Sequence, residues 1–274
     1  MTYDRFMRKA HQQMTKPTHR FENVDSLEQL KTVPDESVRL VLTDPPYLIA
    51  SIGPTGKAYE HFDTEESFTM EQLEEYVKEW YRVLVPGGTL ICWMDSFKLG
   101  ELRAMCQRAK FGNRFRVIQW IKDAGNFLEV KQTYIGWCES ALVVSKSPTK
   151  EIVFNNKDAD GKAIAHRGLF TAKLPRGKGR VHPTQKALSL FVDLVNLHSN
   201  PGDTVLDSFV GSGVTPVACA LTGRSFIGAE LNPEYYAAAD ERLKNLGDED
   251  YTGCEKYVPE FAPSLSNTKS RTKK

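Results

Sequence analysis

Between Val38 and Leu246 short apolar, β-branched runs alternate with longer stretches whose apolar residues recur at helical spacing. Few fold classes accept that alternation. Val38–Thr43, Thr89–Met94, Phe115–Ile121, Ser140–Val144, Thr204–Leu206 and Ser225–Ala229 read as strands. Leu73, Val77, Trp80, Tyr81 and Leu84 form a helical stripe over Met70–Leu84, which Pro86-Gly87-Gly88 stops. Ser96 is expected to cap a helix reaching about Ala109. Further helices are expected over Ser26–Leu30, Lys186–His198, from Gly211-Ser212-Gly213 to Leu221, and from Asn232-Pro233-Glu234 to Leu246. Strands alternating with helices imply an α/β fold with a doubly wound, mostly parallel sheet. In such sheets ligands gather outside the carboxyl ends of strands, where strand order reverses. At 274 residues, 41% hydrophobic and 26% charged, the chain has material for one large domain with an insertion.

Two strand ends carry chemistry. Val38–Thr43 runs directly into Asp44-Pro45-Pro46-Tyr47, an acid, two residues without a ladder N–H, and an aromatic ring. Thr204–Leu206 runs into Asp207-Ser208-Phe209-Val210-Gly211-Ser212-Gly213, an acid and a glycine turn opening a helix. Glycines there allow close backbone approach to a ligand, and the helix start adds partial positive charge. The next strand ends in Glu230, well placed to take the two hydroxyls of a ribose. Pro216 stands where a dinucleotide fingerprint would place its third glycine. The pattern therefore favours a nucleoside-containing ligand without a pyrophosphate.

The net charge of +1 hides an uneven layout. Gly161–Val192 holds no acid but carries Lys162, Arg167, Lys173, Arg176, Lys178, Arg180 and Lys186. Leu102–Lys122 is likewise acid-free and basic. Either run could be a solvated face, but two in a near-neutral chain favour a polyanionic partner. Five scattered cysteines without metal spacing read as reduced thiols, so no metal is expected. No run is apolar and long enough to span a bilayer, and the polar N-terminus resembles no signal peptide; a cytoplasmic protein without membrane contact is expected.

With these residues in place, the chain resembles the S-adenosylmethionine-dependent DNA amino-methyltransferases of the permuted beta group, the N6-adenine and N4-cytosine enzymes. In that family the Asp-Pro-Pro-Tyr motif lies early and the cofactor turn late, as here, and the resemblance covers about Asn23–Leu246. It implies a seven-stranded Rossmann-like methyltransferase sheet within a single catalytic domain, 1–260. The segment 146–181 would be a target-recognition insertion and 261–274 a basic, flexible tail. Asp25 would accept from the cofactor's adenine amine, and the His182, Pro183, Thr184 and Lys186 motif would hold its methionine end. Asp207 would meet its ammonium, Phe209 and Gly211 would shape the pocket, Glu230 would take the ribose, and Gly213 and Asn232 would also belong to the cofactor site. The family usually has proline where Ser208 and Ala187 stand.

The resemblance makes Asp44, Pro45, Pro46 and Tyr47 catalytic. An exocyclic amine is a poor nucleophile because its lone pair is delocalised into the ring. Asp44 and the Pro45 carbonyl, held extended by Pro46, could accept its two N–H bonds. Tyr47 would stack on a base flipped out of the duplex. The expected reaction is N6-adenine methylation in double-stranded DNA at a specific site, within or apart from restriction-modification. N4-cytosine methylation and a catalytically weak DNA-binding module of the same fold are the alternatives. Asp rather than Ser at the first motif position leans towards adenine. Lys173, Arg176, Lys178 and Arg180 would contact DNA, and Leu48–Asp63, with Tyr59, His61 and Phe62, would form a lid. A homodimer is expected by analogy only.

Overall fold

The structure, a computed structural model, describes residues 17–46, 68–123, 138–147, 152–158, 160–175 and 185–246. The strands are β1 (His19–Glu22), β2 (Val38–Thr43), β3 (Leu84–Met94), β4 (Arg116–Lys122), β5 (Cys138–Ser145), β6 (Leu169–Ala172), β7 (Thr204–Asp207) and β8 (Ser225–Ala229). The helices are α1 (Ser26–Lys31), α2 (Met70–Val83), α3 (Leu99–Arg108), α4 (Leu188–His198), α5 (Val214–Thr222) and α6 (Pro233–Lys244).

All described strands join one sheet in the order β1-β8-β7-β2-β3-β5-β4-β6. The pairs around β5 are antiparallel and the others parallel. The sheet is mostly parallel as expected, but it has eight strands rather than seven. Two short strands at its edges evade the sequence pattern. β1 reads HRFE, and its half-exposed edge position tolerates that polarity. β6 reads LFTA inside the basic insertion, where it pairs with Gln119–Lys122. That pairing makes part of the expected insertion a continuation of the sheet.

Period-two alternation in the central strands feeds two cores. Leu40, Leu42, Ile91 and Trp93 point to α4, α5 and α6, meeting Leu194, Val195, Ala218 and Ala239. Val41, Leu90, Cys92 and Leu206 point to α1, α2 and α3, meeting Leu30, Trp80 and Leu102. Helix α2 buries Leu73, Tyr76, Val77, Trp80 and Val83, and a reciprocal Thr69–Gln72 capping box fixes its start. Two local expectations change. Pro86-Gly87-Gly88 lies within β3, where the register against β2 shifts, instead of forming a loop before it. Helix α3 starts from Lys98 without a side-chain cap, while Asp95, not Ser96, accepts from the turn at Phe97 N. No helix among the described residues is long and apolar enough to cross a membrane.

Candidate active site

Strand order reverses between β7 and β2: chain leaving β2 builds one side of the sheet, and chain leaving β7 builds the other. Asp44 follows β2 and Asp207 ends β7, so both acids stand at the carboxyl edge beside this switch point. Thr43 Oγ1 donates to Asp207 Oδ1 at 2.8 Å and ties the two strand ends together. Asp207 also accepts from Phe209 N at 3.0 Å and from Thr215 Oγ1 in α5. Only 3% of Asp207 is exposed. Burial pushes its carboxyl up to about 7, against the pull of these three donors. Its contacts fix the start of the turn, and it presents little surface to any ligand.

The turn itself is built by glycines with different tasks. Gly211 has φ +51°, and a Cβ there would meet nothing within 4 Å, so its open side leaves room for a ligand. Gly213, at φ +76°, has a packing task instead: its Cβ would lie 2.8 Å from Ala239 Cβ, so the glycine admits α6. Glu230 Oε2 accepts from Gly211 N at 2.8 Å, and Oε1 accepts from Asn232 N at 2.9 Å. A carboxylate has about four acceptor positions, so two remain on Glu230 for further donors. Burial raises its carboxyl above the ordinary range. Asn23 Nδ2 donates to the carbonyls of Glu230 and Leu231, which locks β1 under this strand end.

Ser208, which departs from the family's usual proline, has a partner of its own. Trp80 is fully buried, and its Nε1 donates to Ser208 Oγ at 2.9 Å. Ser208→Ala should orphan that indole N–H and lower unfolding free energy by about 1–3 kcal/mol. Urea denaturation measures this, and unchanged stability would show that the contact contributes nothing.

Asp44 lies in a line of alternating charge. Lys186 Nζ donates to Asp44 Oδ2 at 2.5 Å and to Glu139 Oε2 at 2.8 Å, and Lys122 Nζ pairs with Glu139 Oε1 at 2.5 Å. The Lys186 side chain is 4% exposed. Antiparallel β5 brings its first residues, including Glu139, to the edge where β2 and β4 end. Burial raises the Asp44 carboxyl, while the Lys186 ammonium opposes that rise. Burial alone would raise Glu139 too, but Lys186 and Lys122 outweigh it and hold that carboxyl low. Asp44 Oδ1 is buried and has no hydrogen-bond partner among the described residues. A buried carboxylate oxygen without a donor costs stability, so this atom suits a ligand N–H. Pro45 is buried and Pro46 exposed. A cavity of about 840 Å³ opens nearby, lined among others by Lys122, Lys173, Gln185 and Arg242.

Several side chains assigned to the cofactor have partners within the fold. The Asp25 side chain caps α1, with Oδ1 accepting from Leu27 N and Glu28 N. Asn232 likewise caps α6, with Oδ1 accepting from Glu234 N and Tyr235 N. Lys186, assigned to the methionine end of the cofactor, meets Asp44 and Glu139. The ring of Phe209 packs with Phe68 and Tyr76 in the core cluster beside α2. Tyr47, the Leu48–Asp63 lid, Arg176, Lys178, Arg180, His182, Pro183, Thr184 and the tail lie outside the described residues. Sequence reasoning missed Glu139, Thr43 and Thr215. It also missed Gly228, where a Cβ would lie 2.6 Å from the Asp207 carbonyl.

The chain matches the N6/N4 methyltransferase family model, described as DNA methylase, over residues 38–241. It is 30% identical over 247 residues to the DNA adenine methyltransferase YhdJ of Escherichia coli strain K12, covering 80% of each protein. It is 29% identical over 239 residues to the type II methyltransferase M.HpaI of Haemophilus parainfluenzae, covering 80% of this chain and 72% of that protein. Among solved structures, the M1.HpyAVI–SAM complex superposes with a TM-score of 0.66 at 28% identity, covering 84% of this chain and all of the other. The cytosine-N4-specific PvuII DNA methyltransferase gives a TM-score of 0.65 at 20% identity, over 87% of this chain and 93% of its own, a likeness of fold alone. With its family match spanning the sheet from β2 to α6 and enclosing both Asp44 and the Asp207–Glu230 unit, the chain belongs to the DNA methylase family.

Proposed function

We propose that this protein transfers a methyl group from S-adenosylmethionine to the N6 amine of an adenine flipped out of duplex DNA. The observation that carries the reading is Asp44, with Oδ2 held by Lys186 and buried Oδ1 still open to a donor. The residues present fit the cofactor. Glu230 retains acceptor capacity for a ribose diol, Gly211 leaves space at the turn, and Asp207, which fixes the start of that turn, is assigned to the ammonium side. S-adenosylmethionine, when bound, supplies a methyl group carried on a sulfonium.

The chain's own residues prepare the amine. Asp44 Oδ1 accepts one N–H, and the Pro45 carbonyl is assigned the other. Drawing both hydrogens towards acceptors pulls the nitrogen from planarity and stabilises the positive charge it gains. Ionised Asp44 is also positioned to take a proton late, when the methylated amine is acidic. Tyr47 is assigned to stack on the flipped base, and the His182-Pro183-Thr184 segment to hold the methionine end. Lys173 stands exposed on the cavity rim, and with Arg176, Lys178 and Arg180 it is assigned to the DNA backbone and base edges. The adenine assignment is supported by the name of YhdJ and by the acid at the first motif position.

The test is incubation with duplex DNA and methyl-labelled S-adenosylmethionine, followed by digestion to nucleosides. Label in N6-methyl-2′-deoxyadenosine is the expected result. Label confined to cytosine overturns the base assignment, and DNA binding without any label overturns the enzymatic reading.

A further inference from the structure

We propose that Glu139 is a positioning residue for the transfer, acting through Lys186 to hold the Asp44 carboxylate in place with Oδ1 left for the substrate amine. This inference rests on the function proposed above.

The geometry carries it. A lysine ammonium on a four-carbon stem is a mobile point charge with three donors. Beside Asp44 alone, it could swing across both carboxylate oxygens and draw off the electron density that makes Oδ1 a good acceptor. Here Glu139 Oε2 takes a second N–H of the same ammonium at 2.8 Å, which divides its pull and fixes its direction. Glu139 is itself held from the far side by Lys122. The two lysines also lie near aromatic rings: Lys186 Nζ is 5.9 Å from the Trp93 ring centroid, and Lys122 Nζ is 5.6 Å from that of Trp120. The four charged groups come from the ends of β2, β4 and β5 and from the lead into α4, and they sum to zero. Each acid therefore has a cation, and Asp44 Oδ1 is left without a hydrogen-bond partner among the described residues.

Glu139→Gln removes one negative charge from this line. Glu139 raises the Asp44 carboxyl, so its loss should move the Asp44 titration to lower pH. Lys186, Lys122, Asp207 and Cys92 also act on Asp44 or respond to it from their own elements, and all remain in the variant. Two readouts apply. In the protein without cofactor or DNA, carboxyl-¹³C aspartate NMR, assigned with Asp44→Asn, should show the Asp44 midpoint falling by about one pH unit. With DNA, kcat should fall at least about tenfold through misplacement of Asp44, while KM for S-adenosylmethionine stays within about twofold. The acid limb of the rate profile should move down with the NMR midpoint.

If Glu139→Gln folds poorly, Glu139→Gln combined with Lys122→Met keeps the charge balance and should show the same direction of shift. An unmoved Asp44 midpoint overturns the inference, even if activity and stability fall together. So does a matched rise in KM without loss of kcat. Should the wild type transfer no methyl group at all, the function proposed above fails, while the cofactor-free titration still decides whether Glu139 governs Asp44.

Discussion

Asp44→Asn should lower methyl transfer by about a hundredfold or more, the loss typical when one preorganised electrostatic partner is removed. The amide keeps the volume of the carboxylate and an oxygen able to accept from Lys186 Nζ. With that oxygen committed to Lys186, the amide N–H₂ replaces Oδ1 and meets the substrate's N–H donor with another donor. Asn is the better choice than Ala, because Ala would leave Lys186 partly unpaired in a buried place and lower stability as well. Single-turnover transfer to duplex DNA gives the rate, and calorimetry gives S-adenosylmethionine affinity, which should stay within a few-fold. A rate near that of the wild type would remove Asp44 from the chemistry.

Glu230→Ala should weaken S-adenosylmethionine binding by roughly a thousandfold, from two lost charge-assisted hydrogen bonds of about 1.5–3 kcal/mol each. The substitution also frees the N–H groups of Gly211 and Asn232, which the carboxylate now satisfies. Glu230→Gln retains one acceptor oxygen and should fall between Ala and the wild type. Burial raises the Glu230 carboxyl, and the hydroxyls are taken by the ionised form. Affinity of the wild type should therefore decline as pH falls through that raised value, earlier than for an exposed glutamate. Equal affinity in all three proteins would move the ribose elsewhere.

The acids at strand ends were legible in the chain because each follows an apolar run and precedes a turn. Asp44, Asp207 and Glu230 all stand at the carboxyl edge on that local pattern alone. The use made of Lys186 was not legible. It pairs with an acid 142 positions away, and Glu139 joins them only because β5 runs antiparallel into the same edge. No local periodicity encodes such a meeting. Capping residues have a second task that position alone did not show: Asp25 and Asn232, assigned to the cofactor, have side chains that also cap helix starts. Ser208 showed as a departure from pattern, but its reason, the Trp80 indole, lies 128 positions away. The edge strands β1 and β6 escaped because four residues with one half-exposed face need little apolar content.

The pairing of β6 with β4 also bears on how such a protein could change what it reads. Lys173, Arg176, Lys178 and Arg180, proposed to contact DNA, lie in the chain between Ala172, which ends β6, and Gln185, one residue before Lys186. Both ends belong to the described part of the fold, so a segment inserted between them is a loop closed between fixed ends. Doubling the length of such a loop costs only about 0.6 kcal/mol in closure entropy. A longer or foreign segment could be spliced between Ala172 and His182 with the sheet, the turn and the Asp44 line undisturbed. Target preference would then be exchangeable cargo, carried between two anchors that the chemistry already requires.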